Sequence, residues 1–298
     1  MLKPFLERIR EGEILLADGA LGTMLMERGL RSGGCPDEFV LTHPYVLQDI
    51  ARQYLSAGAE IMTTDTFGAS PLKLASYGLA DKTREINHRA VELLRAVAED
   101  AAYVFADIGP SGRIVKPYGD TEPEKVRASY EQQMAVLVDA GIDAFSLETM
   151  IDLAEGVIAV KAAKVVAPAI PVIAMMTFEH RRKGFFTVMG SSISQVAAGL
   201  AEAGADVVGS NCGNGIEPMI EIAREFRAAT SLPTSFRANA GLPQIVGAET
   251  RYPETPEFMA GRLPELLDAG VSIVGGCCGT TPDHIRAFRQ VLDQRARR

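Results

Sequence analysis

The strongest constraint on the fold is an internal repeat. Four segments share one pattern: Ser56-Ala-Gly-Ala-Glu-Ile-Met-Thr-Thr-Asp-Thr66, Asp139-Ala-Gly-Ile-Asp-Ala-Phe-Ser-Leu-Glu-Thr149, Glu202-Ala-Gly-Ala-Asp-Val-Val-Gly-Ser-Asn-Cys212 and Asp268-Ala-Gly-Val-Ser-Ile-Val-Gly-Gly-Cys-Cys278. Each reads as a helix end closed by glycine and followed by a short apolar strand. Successive copies lie 83, 63 and 66 residues apart, about twice the ~30 residues of one βαβ step, so a further strand belongs between neighbours. Ile14 to Ala20, Tyr103 to Gly109, Pro171 to Phe178 and Pro233 to Ala240 supply those strands, with helical periodicity between them, as in Pro123 to Ala140 and Ile216 to Ala229. Eight strands alternating with eight helices predict a (β/α)8 TIM barrel, one domain over residues 1–298, with a doubly wound open sheet as the competing arrangement.

On a barrel, the repeats become the even-numbered strands, and their polar residues fall at the C-terminal ends, where barrel enzymes carry their chemistry. Seven residues after each repeat glycine stand Asp65, Glu148, Asn211 and Cys277, and eight after stand Thr66, Thr149, Cys212 and Cys278. Cys212 can therefore meet the Cys277–Cys278 pair across the mouth. Three converging thiolates make an open zinc site, with the fourth tetrahedral position left for a substrate. The plainer alternative is that they are buried or redox-sensitive thiols, although a vicinal pair ringed by glycines has little bulk to pack. Glu148, a carboxylate in an apolar strand, needs a cation or hydrogen-bond donors, from a ligand or from an internal ion pair. Asp18 either caps the helix after it or belongs to an anion site, in which Gly19 and Gly22 let backbone N–H groups approach a carboxylate.

The remaining composition mainly excludes. A formal net charge of −8 does not fit a nucleic-acid surface. The sequence has no apolar run of membrane-spanning length, and Met1 to Arg10 is charged throughout, unlike a signal peptide, so a cytoplasmic protein without membrane contact is expected. Cys35 reads as an inert or merely exposed thiol, the four histidines do not cluster, and the basic run His180-Arg-Arg-Lys183 reads as a solvated loop.

Asp18-Gly-Ala-Leu-Gly-Thr23, Asp65-Thr-Phe67, Leu147-Glu-Thr149, Asn211-Cys-Gly213, Asn239-Ala-Gly-Leu-Pro243 and Gly275-Gly-Cys-Cys-Gly-Thr280 together resemble the homocysteine S-methyltransferase family. The resemblance runs from about Ile14 to His284, and the pairing of Asn-Cys with a downstream Gly-Gly-Cys-Cys-Gly is its most specific part. It implies zinc on Cys212, Cys277 and Cys278, with the homocysteine sulfur as the fourth ligand and nucleophile. It further implies that Glu148 takes the substrate ammonium, that the backbone of Gly19, Ala20 and Leu21, positioned by Asp18, takes its carboxylate, and that Asp65, Thr66, Asn211 and Asn239 line the pocket. Asp65 stands where the family commonly has Asn, adding a negative charge there.

Of the family's branches, these segments look most like the homocysteine module of cobalamin-dependent methionine synthase. That likeness makes a separate methylcorrinoid protein the expected methyl donor, with methylcobalamin held by that partner and docking at the loops Cys35 to Phe39 and His180 to Phe185. The alternatives are a small-molecule donor, S-methylmethionine or betaine, and a metal-free barrel lyase with bystander cysteines.

Overall fold

The computed structural model describes residues 2–31, 33–247 and 249–297. The repeat glycines Gly58, Gly141, Gly204 and Gly270 all have positive φ, between 79° and 104°. This is a left-handed conformation that L side chains rarely adopt, and it turns each helix into the strand that follows. Barrel strands are numbered β1 Leu15–Leu16, β2 Ile61–Thr63, β3 Tyr103–Ile108, β4 Ala144–Met150, β5 Val172–Met176, β6 Val207–Asn211, β7 Thr234–Ala238 and β8 Ile273–Gly276. Among the described residues they form one eight-stranded sheet in the order β1-β8-β7-β6-β5-β4-β3-β2, paired in parallel throughout. A parallel bridge between Ala17 and Ile61, with Asp18 N–H donating to Ile61 O at 2.9 Å and Glu60 N–H to Leu16 O at 2.7 Å, joins β1 to β2. The sheet therefore closes into a (β/α)8 barrel, and the doubly wound sheet is excluded.

The interior is apolar below and polar above. Leu15, Ile61, Tyr103, Phe105, Ala144, Ile173, Met175, Val207 and Ile273 fill the lower barrel, and Phe5 and Ile9 of the helix Phe5–Arg10 pack beneath them. Because side chains alternate along a strand, the same inward rows continue upward to Thr63, Asp107, Glu148, Asn211, Arg237 and Cys277. The outward rows pack on the surrounding helices. Pro44–Ser56, for example, buries Leu47, Ile50, Ala51 and Tyr54.

Several helix starts are fixed by side chains, including a Ser192–Gln195 capping box and a Thr281–His284 box. The second accounts for His284, whose Nε2 also lies 3.0 Å from Glu254 O. Two short antiparallel hairpins, Glu179–Arg181 with Gly184–Phe186 and Gln244–Val246 with Glu249–Arg251, follow β5 and β7. The basic run of residues 180–183 forms the exposed tip of the first. No helix among the described residues is long and apolar enough to cross a membrane.

Candidate metal centre and substrate cavity

The three cysteines meet. Cys212 Sγ is 3.8 Å from Cys278 Sγ, and the sulfurs of Cys212, Cys277 and Cys278 all lie within 4.8 Å of one another. Strand β7, between β6 and β8, sets this spacing through its backbone. Cys212 N–H donates to Arg237 O at 3.1 Å, Cys277 N–H to Ala238 O at 2.8 Å, and Ala240 N–H to Cys278 O at 3.0 Å. Two close approaches make the glycines necessary. A Cβ on Gly276 would lie 2.1 Å from Thr280 Oγ1, and one on Gly279 would lie 2.1 Å from the Tyr252 ring. Cys212 itself has φ 60°, a strained value for a residue with a side chain, and such strain concentrates at functional sites.

Without a metal, the three thiols share their protons unequally. S–H donation from Cys277 and then Cys278 pulls Cys212 down to about 3, against the effect of burial. Cys277 is pushed well up, and Cys278 up to about 11, chiefly by the same hydrogen bonds to Cys212. Three soft sulfur donors at this spacing fit a thiophilic ion such as zinc.

Around the sulfurs lies a cavity of about 380 Å³ at the C-terminal mouth of the barrel, within the size range of small-molecule sites. Asp18, expected as a cap or a positioning residue, does not cap the helix Gly22–Glu27, whose N-cap Leu21 has no side-chain cap bond. Instead its carboxylate accepts Thr63 N–H at 2.7 Å, and burial, opposed chiefly by Arg237, pushes it up to about 6. Gly19, Ala20 and Leu21 line the cavity, but Ala20 N–H already donates to Thr280 Oγ1 at 3.1 Å.

Asp65 and Thr149 also face the cavity. Thr66 is fully buried beneath it, donating to Asp107 O at 2.7 Å. Asn211 ties the site together. Its Oδ1 accepts Thr149 N–H at 2.7 Å, and its Nδ2 donates to Glu148 Oε2 at 3.1 Å and lies 3.8 Å from Cys277 Sγ. Asn239 is buried beside Cys212, to which its side chain hydrogen-bonds. The β4–β5 pairing shifts register between Leu147 and Met150, and Thr149 has φ 56°. This irregularity re-aims the end of β4 at the site.

Sequence reasoning missed Arg237, Asp107, Asp37 and Tyr252. Arg237, 3% exposed, places Nη1 at 2.9 Å from Glu148 Oε1 and 3.7 Å from Asp18 Oδ1. An arginine in the strand Thr234-Ser-Phe-Arg-Ala238 is the same signal that singled out Glu148, and the aspartate in Phe105-Ala-Asp-Ile108 is another. Asp37 is buried and accepts Gly68 N–H at 2.8 Å, while Tyr252 hydrogen-bonds Cys278 through its phenol. Neither carries a sequence signal. Cys35 is buried, and desolvation first, then Asp37, pushes it up to about 12.

The homocysteine S-methyltransferase family model matches residues 15–292. Methionine synthases of Mycobacterium leprae and Mycobacterium tuberculosis are 35% and 34% identical over 292 aligned residues, 92% of this chain. The chain spans about a quarter of the length of these curated relatives, 24% in each case. Crystal structures of the homocysteine methyltransferase MmuM from Escherichia coli, in metallated and oxidized forms, share the fold with TM-scores of 0.80 and 0.79 at 24% identity, covering 97% of this chain and 99% of that chain.

These findings correct the expected methyl donor. In the MmuM match a single barrel of this extent accounts for nearly the whole of a homocysteine methyltransferase, and the cavity over the sulfurs is of small-molecule size. The separate methylcorrinoid protein, as partner and as source of methylcobalamin, is therefore withdrawn. Of the two docking loops assigned to it, the first turns Cys35 and Asp37 inward and buries them, whereas the second stands exposed. A lyase is set aside by the family match. From the motif cysteines converging at the mouth of a closed barrel and from the match over residues 15–292, the chain belongs to the homocysteine S-methyltransferase family.

Proposed function

We propose that the chain is a zinc-dependent thiol S-methyltransferase that methylates homocysteine to methionine with a methyl group from a small-molecule donor. The observation that carries this reading is the convergence of three sulfurs within 4.8 Å beside the cavity, a donor set that leaves a fourth position to an incoming thiol. A free thiol is mostly protonated at neutral pH, and zinc held by these cysteines would keep the acceptor as its nucleophilic thiolate. The chain's own residues orient the parts. Asn211 and Asn239 fix the cysteine sulfurs, and the segment Gly19 to Leu21 borders the space for the amino-acid end of the acceptor.

In the displacement itself, an S–CH3 bond forms as the bond from the methyl group to the donor's sulfur or nitrogen breaks, and the leaving group keeps that electron pair. The acceptor proton has already been lost, so no histidine base is required. Donors that carry a positive charge at the methyl-bearing atom, such as S-methylmethionine or betaine, match the rings of Phe67 and Tyr77 on the cavity wall, near Asp37. The test is S-methylation of L-homocysteine by the zinc-loaded chain with S-methylmethionine and betaine in parallel. Methionine formed with at least one donor is expected, and none with either would reject the reading.

A further inference from the structure

The outer wall of the cavity, where Phe67 and Tyr77 are each 37% exposed, holds a cation without a bonded partner. Farther in, the fixed charges are settled: Arg237 is held by Glu148 at 2.9 Å and faces Asp18 at 3.7 Å, and burial keeps Asp65 and Asp107 well above the carboxylate range. Lys73 lies beyond the end of β2, in the short helix Pro71–Leu74, and lines the same cavity. Its Nζ makes no ion pair or hydrogen bond among the described residues. Asp37 feels its charge, but that carboxylate already accepts Gly68 N–H at 2.8 Å and faces Cys35 Sγ at 3.6 Å. Lys73 is also held in place. Ser70 Oγ accepts its backbone N–H at 3.4 Å, and Leu72 N–H donates to Ser129 Oγ at 3.1 Å. The Lys73 stem passes over Gly112, where an added Cβ would lie 3.2 Å from Cδ and 3.6 Å from Nζ. The same loop seats the Phe67 ring, which an added Cβ on Gly109 would meet at 2.5 Å. Glu155, a buried carboxylate, fixes that loop by accepting Ser111 N–H at 2.7 Å, with Tyr130 OH 2.8 Å away.

We propose that Lys73 is a specificity-determining residue for the methyl donor: its ammonium binds the donor's carboxylate and so selects zwitterionic donors, whose methyl-bearing onium centre rests against Phe67. This rests on the methyltransferase reading above. Opposite charges that stand apart on one wall, Lys73 and Asp37, match a small molecule that carries both signs at separate ends. The ammonium supplies three donors to a carboxylate, and the Phe67 ring, seated on the same loop, offers its face to a cation. The acceptor's carboxylate is left to the segment Gly19 to Leu21, which lines the cavity past the end of β1.

The test uses the zinc-loaded full chain at saturating L-homocysteine and compares KM for S-methyl-L-methionine and betaine with KM for the carboxamide of each, in which the carboxylate charge is gone. The wild-type chain prefers the carboxylate form of whichever donor it uses. Lys73→Met raises KM for that form roughly tenfold, the low end for a charge-assisted contact because Lys73 is only half-buried. It moves KM for the carboxamide far less, and Lys73→Arg, which keeps the charge, restores most of the preference. A wild-type chain indifferent to the carboxylate would overturn the assignment, as would a Lys73→Met variant in which both forms lose equally or neither loses. Calorimetry with L-homocysteine separates the two sources of a carboxylate: its affinity holds in Lys73→Met, and a tenfold loss there would assign Lys73 to the acceptor instead. If neither donor yields methionine with the wild-type chain, the methyltransferase reading fails and this assignment with it. If methionine forms and the preference does not depend on Lys73, the assignment alone fails.

Discussion

Arg237 Nη1 lies 2.9 Å from Glu148 Oε1, an ion pair between β7 and β4 in which both side chains are under a tenth exposed. Burial makes each partner dependent on the other, because breaking such a pair leaves a desolvated charge and costs about 3–5 kcal/mol. Glu148→Gln should fall near the low end of that range, since Asp18 remains 3.7 Å from the guanidinium. Urea unfolding of the single variant and of Glu148→Gln combined with Arg237→Met checks this. The double variant should recover part of the loss.

Gly276→Ala should disrupt the proposed metal centre without altering any of the three cysteines. The added methyl would sit 2.1 Å from Thr280 Oγ1 and 2.7 Å from Thr280 Cβ, and that hydroxyl donates to Cys277 O at 2.7 Å while accepting Ala20 N–H. Zinc content after dialysis should fall well below that of the wild type, and Thr280→Ser, which retains the hydroxyl, should hold zinc normally.

In the metal-free chain the four cysteines should react in a fixed order. Cys212 is held as a thiolate, pulled down to about 3 by its sulfur neighbours, whereas burial pushes Cys35 up to about 12. The thiolate is the reactive form. Brief iodoacetamide treatment at pH 7 followed by peptide mass spectrometry should find Cys212 modified first, ahead of the other three.

Asp18 and Asp37 give the fold a pH dependence with a definite sign. Both carboxyls are pushed up to about 6 by burial, so between about pH 4 and 6 the folded chain retains protons that the unfolded chain has released. Stability contributed by these groups is therefore fully present below about pH 4 and is lost as pH rises through 6, by up to about 3 kcal/mol for each. Asp37→Asn keeps an acceptor for Gly68 N–H and removes the ionisation, so it should lose less stability than the wild type between pH 4.5 and 7 in urea titrations.

The barrel was legible because its determinants are local and repeated. A glycine that must adopt positive φ, followed by an apolar strand, marks every second unit, and the C-terminal position of Cys212, Cys277 and Cys278 follows from counting along the strand. The charge network was not. Whether Glu148 meets a ligand or an internal partner depends on which residue projects from β7, 89 residues away in sequence, and on inward alternation that places Arg237 and not Phe236 in the barrel. Burial of Cys35 and Asp37 depends on how the single 3-10 turn Pro36–Glu38, which Cys35 precedes, packs at the cavity, and one turn is too short for a periodicity to read. The corrinoid donor was inferred from likeness of short segments to one branch of the family, and such segments record the acceptor side of the reaction, which the branches share.

The proposed activity depends most directly on sulfur coordination at the three cysteines. X-ray absorption of the zinc-loaded chain, with and without L-homocysteine, measures it. One zinc per chain is expected, with three sulfur ligands before the thiol is added and four after it, and with loss of the metal in a Cys277/Cys278 double serine variant. A chain that retains its zinc in that double variant, or whose sulfur count does not change on adding homocysteine, would contradict the assignment.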